Sequence, residues 1–344
     1  MQIDSPIVSG FAASIESILS SIGINAPSWL GALLGVIVFA IIFSIIFSVA
    51  AYVLGWVERK IIGRAQSRHG PTYVGKYGFL QNFADLIKLI SKEWFVPDRA
   101  DSMIFPFMLP IAAGIFVFVL ALIPLSPSFV GANVSLGLFA IFVALSFMPL
   151  IFFLAGWSSG NKFGSISAQR SVVMMVSYEI PLFIVLASVI MLAGSYNMIS
   201  IVNAQNPYWF ALMMPIGFFV FFVVMLAELE RAPFDLREAD SELIAGWLTD
   251  VSAPYYALAL LVDYLRLFIG SLLIVLIFLG GWLPIILTPF LTLFIKVALV
   301  SLFIMVVRLT LIRMRIDRII RTGWMYLAPL ALINLLITFI LFIR

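Results

Sequence analysis

Seven carboxylates crowd one stretch of the chain, "AELERAPFDLREADSELIAGWLTD" from Ala227 to Asp250. They are Glu228, Glu230, Asp235, Glu238, Asp240, Glu242 and Asp250, set against Arg231 and Arg237. Pro233, Phe234, Leu236, Leu243, Ile244 and Trp247 are interleaved with them, which predicts a loop folded back on apolar structure. Carboxylates gathered in such a place disfavour one another's charge and take up protons near neutral pH. A second group has the opposite sign: "WVERKIIGRAQSRHGPTYVG", Trp56 to Gly75, holds Glu58, Arg59, Lys60, Arg64, Arg68 and the single histidine, His69. Gly63, Gly70, Pro71, Gly75 and Gly78 punctuate this region, so its backbone turns tightly and approaches something closely. A polybasic patch for anionic lipid headgroups would explain the positive charge, but it leaves the glycines and Glu58 without a role.

Charges also fall inside otherwise apolar runs: Glu179 just before Pro181, Asp263 and Arg266 three apart, Lys296, and Arg308. Each such ion costs about 2.5–3.5 kcal/mol at the centre of a membrane even on insertion scales, so each must face the protein interior or water and find a partner. Asp263 and Arg266 read equally well as a structural ion pair on one helix face or as functional groups. Glu179 and Lys296 have no partner nearby in sequence, and they predict an intramembrane proton route.

The elements that must position these groups are apolar. Hydrophobic residues make up 63% of 344 and charged residues 11%, with a mean hydropathy of +1.17, too little polar surface for a soluble fold. Continuous runs of the roughly 20 residues that cross about 30 Å of hydrocarbon predict helices and exclude a β-barrel. The expected fold is all-α: a polytopic transmembrane helix bundle, one membrane domain over residues 1–344. Its eight or so spans are Ser28–Tyr52, Met103–Ile123, Val134–Gly156, Val172–Gly194, Tyr208–Ala227, Ala257–Gly280, Leu283–Val307 and Trp324–Ile343. Ahead of them Ile7, Phe11, Ile15, Ile18 and Ile22 predict a short surface helix. No Lys or Arg precedes that run, so it does not resemble a cleaved signal peptide.

Two loops stand out, residues 57–102 and the acidic 228–253. In the first, Phe79, Leu80, Phe83, Leu86, Ile87, Ile90 and Trp94 recur at steps of three and four opposite Gln81, Asp85, Lys88 and Lys92, the pattern of an interfacial amphipathic helix. Lys and Arg are absent from Met1 through the first span and from the loops at 124–133, 195–207 and 281–282, and they fill the alternate loops. The positive-inside rule then places the basic loops in the cytoplasm and both termini outside. With no cysteine and one histidine, the chain cannot by itself hold an iron–sulfur cluster or a bis-histidine haem. No metal site is expected, and any electrons arrive on another protein.

Glu58 to Glu93, "ERKIIGRAQSRHGPTYVGKYGFLQNFADLIKLISKE", resembles the signature of the membrane subunit of respiratory complex I called subunit 1 or the H subunit. The resemblance continues in "GWSSGNKFGSISAQRSVVMMVSYEIP" (Gly156 to Pro181), in "RAPFDLREADSELIAG" (Arg231 to Gly246), and in Lys296, Arg308, Arg313, Arg315 and Asp317. It covers nearly the whole chain after the first span, in order and at the family's spacing. It implies an eight-helix, non-redox subunit of a proton-pumping NADH:quinone oxidoreductase, or of an archaeal deazaflavin-dependent relative, in a prokaryotic cell membrane. Its substrate would be a quinone or a methanophenazine, with nothing bound covalently. Iron–sulfur clusters and flavin would belong to partners: peripheral iron–sulfur and quinone-site subunits, small membrane subunits and antiporter-like subunits, with the lipid bilayer around them and no nucleic acid.

Carried over by position, the resemblance places Glu58, Arg59, Lys60, Arg68, Asp85 and Lys88 around the quinone chamber or its junction with the peripheral arm. Arg231 and Asp235 would lie in the adjoining loop, with Arg308, Arg313 and Arg315 adding positive charge. Glu179, Glu228, Glu242 and Asp263 would lie on a proton path from that chamber to the pumping subunits. The chain departs from many members at Leu229 and Glu230, where Thr and Asn are common, at Asp240 and Asp263, where Glu is usual, in "WLTD", and at Ile312, a position often held by Pro. These departures are similar to those of divergent prokaryotic branches. Two alternatives are the anchoring subunit of a membrane-bound hydrogenase and an autonomous ion-coupled transporter; for the second, no inverted repeat is visible.

Overall fold

A computed structural model of the chain describes residues 28–237, 240–284 and 287–342, with the isolated positions 13, 14 and 17. The surface helix expected around Ile7 to Ile22 and the side chains of Glu238 and Asp240 lie outside the described residues.

The chain folds as the all-α bundle expected of it. The helices are α1 Ser28–Ala65, α2 Gln81–Ile90, α3 Phe105–Leu122, α4 Gly137–Ser158, α5 Lys162–Ala193, α6 Met198–Asn203, α7 Phe210–Met213, α8 Pro215–Glu228, α9 Asp240–Leu243, α10 Ala253–Phe278, α11 Pro289–Thr310, α12 Ile316–Arg321 and α13 Ala328–Phe342. A π-helical turn over Thr322–Leu327 fuses α12 to α13. Among the described residues, seven helical runs are long and apolar enough to cross a membrane: α1, α3, α4, α5, α10, α11 and the fused α12–α13.

The span expected over Tyr208–Ala227 is broken into α7 and α8 at Met214 (φ −134°, ψ 73°). Pro215 is the cause, because its ring pushes the preceding residue out of the helical region. A helix that starts inside the bundle leaves its first N–H groups without acceptors. Asn334, buried on α13, meets one of them: its Oδ1 accepts from Gly217 N–H at 3.0 Å. The prolines inside α3 and α5 free carbonyls in the same way, each four residues back. For Pro110 that carbonyl belongs to Pro106, and the Tyr255 hydroxyl donates to it at 2.9 Å. For Pro181 it belongs to Ser177, and Gly323 of the π-helical turn lies against it, where a Cβ would overlap the oxygen.

α1 and α5 run beyond the expected spans. At 38 residues and about 1.5 Å per residue, α1 is far longer than a bilayer needs, so Trp56, Glu58, Arg59 and Lys60 ride on a helix rather than in a loop. α5 starts at Lys162, ten residues before the apolar run, with the Asn161 side chain capping Phe163 N–H at 3.2 Å. α10 forms the centre of the bundle, and every residue from Leu265 to Phe278 is buried.

The C-terminal end of α10 is closed by polar side chains. Gln205 donates to Leu276 O at 2.8 Å and accepts from Gly280 N–H at 2.7 Å. Lys296, expected on a proton route with Glu179, donates to Leu279 O at 2.6 Å and to Leu283 O, with its ammonium over the Trp209 ring. A cation on the free carbonyls of a helix C-terminus is where the helix dipole favours it. This end of α10 is the one away from the acidic loop.

α2 is amphipathic, with Phe83, Leu86, Ile87 and Ile90 exposed. Its other side is tied to α1 by Asn82, which donates to Tyr52 O at 3.0 Å.

Candidate functional site

The acidic loop begins with a turn that decides where its charges go. α8 ends in a Schellman arrangement, with Glu230 N–H on Ala227 O at 2.9 Å and Arg231 N–H on Leu226 O at 3.4 Å. Such a turn needs a left-handed residue, usually glycine; here it is Glu230 at φ 48°, a conformation costing a side-chain-bearing residue about 1–2 kcal/mol. The reversal sends two neighbouring side chains into two different buried clusters.

The first cluster is built on Glu58, which is 2% exposed. Its Oε1 accepts from Arg231 Nη1 at 2.8 Å and from Arg308 Nη1, so one carboxylate joins α1, the acidic loop and the end of α11. The Arg231 guanidinium lies 5.5 Å from the Tyr264 ring centroid on α10. Next to Glu58 on α1, Arg59 pairs with Asp85 of α2 at 2.6 Å, and Gln81 donates to the other Asp85 oxygen at 2.9 Å. Burial works against the Asp85 charge, but the hydrogen bonds from Arg59 and Gln81 and the nearby Lys88 outweigh it and hold the carboxyl below its ordinary range. Lys60 donates to Pro71 O at 2.5 Å and fastens the glycine-rich loop to α1.

The second cluster surrounds Glu230. Its Oε2 takes Arg237 Nη1 at 2.8 Å and Arg266 Nη1 at 3.2 Å. Arg266 also donates to the Glu228 carbonyl, and Arg237 reaches Asp263 Oδ1 at 3.3 Å. Both guanidiniums lie against the Phe152 ring, Arg237 at 3.8 Å and Arg266 at 5.3 Å, and Trp247 packs on Arg237 at 4.9 Å. Arginine suits such a place because its flat cation stacks on rings and forks onto carboxylates. Burial opposes the Glu230 charge, but the two guanidiniums more than compensate and hold it below the ordinary carboxylate range. Glu228 flanks the cluster, and Glu179 of α5 is close enough for the two carboxylates to feel each other's charge.

The residues expected on the proton path therefore separate. Glu179, Glu228 and Asp263 sit in or beside the second cluster, whereas Glu242 is exposed and pairs with Arg170 of α5 at 2.6 Å, a contact that holds its carboxyl low. Among the expected chamber residues, Glu58, Arg59, Asp85, Arg231 and Arg308 come together. Arg313 donates to the Asp235 carbonyl and fixes the far side of the acidic loop. Arg68 and Lys88 are exposed, and Arg315 faces Asp317 at 3.6 Å on the surface.

Arg237, Glu230 and Arg266 carry the second cluster; Arg266 stands out in the sequence as a charge within a span, whereas Glu230 and Arg237 read only as members of the acidic loop. A signal for them exists in the sequence: an arginine inside an apolar span must find a carboxylate, and Glu230 is the unusual one on offer. Among the described residues no three His, Cys, Asp or Glu side chains gather as a metal ion would require.

A model of the NADH dehydrogenase family matches residues 37–339. The chain is 38% identical over 330 residues to the H subunit of NADH-quinone oxidoreductase from Geobacillus sp. (strain WCH70), covering 94% of this chain and 97% of that one. It is 40% identical over 284 residues to the protein of that name from Dehalococcoides mccartyi (strain CBDB1), covering 82% and 80%. With the H subunit from Carboxydothermus hydrogenoformans it shares 36% over 294 residues, covering 84% and 83%. A family match over most of the chain, and relatives matched over most of their length, place this all-helical membrane bundle in the family of NADH-quinone oxidoreductase H subunits, the membrane subunits of complex I-like quinone oxidoreductases.

Proposed function

We propose that the chain is the coupling subunit of a proton-pumping quinone oxidoreductase, with the Glu58 cluster walling a quinone chamber and the Glu230 cluster opening the proton path. The reading rests on one observation above others: Glu230 and Arg231, adjacent in sequence, belong to different buried clusters. A change of charge at the first cluster therefore acts through a single peptide unit on the second. Quinone reduction brings electrons to a neutral ring, so negative charge develops there and protons are taken up. Cations such as Arg59, Arg231 and Arg308 favour that charge, and protonatable carboxylates beside them supply the protons.

In this reading the electrons come from a partner's iron–sulfur cluster and the quinone's head rises from the membrane. Lys60, Arg68 and Lys88 contribute to the chamber rim and to the docking face for the peripheral subunits. Asp235, Arg313 and Arg315 support the loop between the two clusters, and Glu242, held by Arg170, is the exposed end of the proton path. The basic loops face the cytoplasm of a prokaryotic cell, where those partners assemble, and both termini face outside.

The test has two parts. Purification of the tagged chain in mild detergent should bring down iron–sulfur subunits and antiporter-like membrane subunits; a nickel–iron hydrogenase large subunit in their place would move the chain to a different complex. In that complex, Glu179→Gln or Glu228→Gln should lower coupled turnover about a hundredfold, the scale expected of a positioned proton donor, while Arg59→Ala should weaken quinone reactivity. Unchanged quinone reduction and pumping in both Glu variants would remove the proton-path assignment.

A further inference from the structure

Between α4, α5, α8 and α10 lies a cavity of about 10 Å³, lined by Ser171, Met174, Tyr178, Glu228, Glu230 and Arg266. That is about the room one water needs, provided that two or more polar groups face it. Two of the lining residues carry an oxygen without a partner: Glu228 Oε1 and Glu230 Oε1 are both buried and accept no hydrogen bond from the protein. The Glu230 side chain is 3% exposed, so its second oxygen has no route to bulk solvent. The two hydroxyls at the cavity are weakly engaged: Tyr178 is 3.5 Å from Ile319 O, and Ser171 is 3.5 Å from Ser167 O. A buried carboxylate oxygen left bare costs free energy that a single bridging water recovers.

The charge count points the same way. Glu228, Glu230 and Asp263 face Arg237 and Arg266, with Glu179 approaching from α5. Among the described residues, three carboxylates against two guanidiniums leave one negative charge in excess before Glu179 is added. Asp263 has Arg237, and Glu230 Oε2 has both arginines. The group left to hold a proton is Glu228, which lines the same cavity as Glu230.

We propose that the cavity holds one water donating to Glu228 Oε1 and Glu230 Oε1, and that the two carboxylates so bridged bind one exchangeable proton as a unit. Glu230 then belongs to the proton-binding machinery rather than serving only as a counterion. When the proton arrives it is shared along the carboxyl–water–carboxylate line and the cluster gains one positive charge; when it leaves, that charge is lost, with no other bond made or broken. The inference deepens the coupling role above and rests on it.

The test reads the proton directly, without turnover. Infrared pH-difference spectra of the purified complex report protonated carboxyl groups, and a density map of the same complex reports the water. The expected result is water density between the two Oε1 atoms and one protonated-carboxyl band lost in Glu228→Gln and in Glu230→Gln alike. The double variant should lose nothing more, because the two residues act as one site. Glu230→Asp, which keeps the charge for both arginines but draws the oxygen back, should retain the band with a shifted pH midpoint; a variant that merely failed to fold would not.

A band lost in Glu228→Gln and kept in Glu230→Gln, two separate bands that add in the double variant, or a cavity without water density would each overturn the proposal. Failure of the coupling role is distinguishable. It would appear as unchanged pumping in Glu179→Gln and Glu228→Gln, whatever the infrared spectra show.

Discussion

Replacing Glu58 by Gln isolates the charge that holds the first cluster together. The amide keeps the shape and one acceptor oxygen but carries no charge, so the Arg231 and Arg308 guanidiniums are left facing each other across a site whose centre is 2% exposed. Removing one partner of a buried ion pair costs roughly 3–5 kcal/mol, because the surviving charge stays desolvated. The two survivors are not equally placed: the Arg231 side chain is 12% exposed, whereas Arg308 is 33% exposed and can turn to water. The full penalty therefore applies to Arg231 alone, which puts the expected loss near the lower figure, about 3 kcal/mol.

A double-mutant cycle separates this from general disruption. Glu58→Gln, Arg231→Gln and the double variant are compared by the fraction of complex that stays intact and soluble after graded heating. Glu58→Gln takes the shared carboxylate from both arginines, Arg231→Gln leaves Glu58 with Arg308 alone, and the double change leaves only the partly solvated Arg308. The double variant should therefore be more stable than Glu58→Gln, and its loss should be smaller than the sum of the two single losses. If the two losses simply add, Glu58 and Arg231 do not depend on each other for charge compensation, and the account of the cluster fails.

Other perturbations read other parts of the fold. Asn334→Ala strips the acceptor from the Gly217 N–H inside the membrane and should cost about 1–2 kcal/mol, seen as a lower heat tolerance of the complex. An unchanged heat tolerance would contradict this. Gly323→Ala forces the π-helical turn away from Ser177 O, and close packing penalises such overfilling by about 1–3 kcal/mol; reduced yield of assembled complex is the readout, and normal yield would refute the close approach.

The Arg59–Asp85 pair gives a pH dependence. Because the folded Asp85 carboxyl is held below its ordinary value of 3.8, its contribution is complete above that value and is lost as the pH falls through the lower, folded one. Both side chains are about a third exposed, so the contribution is at most about 1 kcal/mol. Hydrogen exchange over residues 66–90 should rise in acid, after correction for intrinsic rates, and Asp85→Asn should flatten that rise. An equal rise in the variant would sink the assignment.

The fold was legible wherever composition speaks for itself. Apolar runs of span length need no partner to be recognised, and the amphipathic pattern of Gln81–Ile90 survives as α2. Helix length was less legible, because helix formers such as Arg59, Lys60 and Arg64 continue α1 after the apolar run has ended. The broken span turned on one proline, Pro215, whose effect on Met214 is local and readable; its satisfaction by Asn334, over a hundred residues away, is not. Lys296 shows the same limit. Hydropathy announces that a buried cation needs acceptors but does not say that backbone carbonyls at the end of α10 will serve.

The site divides along the same line. Glu58, Arg231 and Arg308 announce themselves as charges, yet their convergence on one oxygen depends on where three separate elements meet. Glu230 is the harder case, since in sequence it is one more acid in an acidic loop. It is singled out by the left-handed turn at the end of α8, which a glycine would make at lower cost. A chain that spends about 1–2 kcal/mol to hold a carboxylate in that conformation recovers it only if the side chain is needed where the turn points it. That place is between Arg237 and Arg266, beside an oxygen of Glu228 that accepts no hydrogen bond from the protein. The turn strains the backbone of the loop that joins the two clusters, and the arginine pair is what the strain secures.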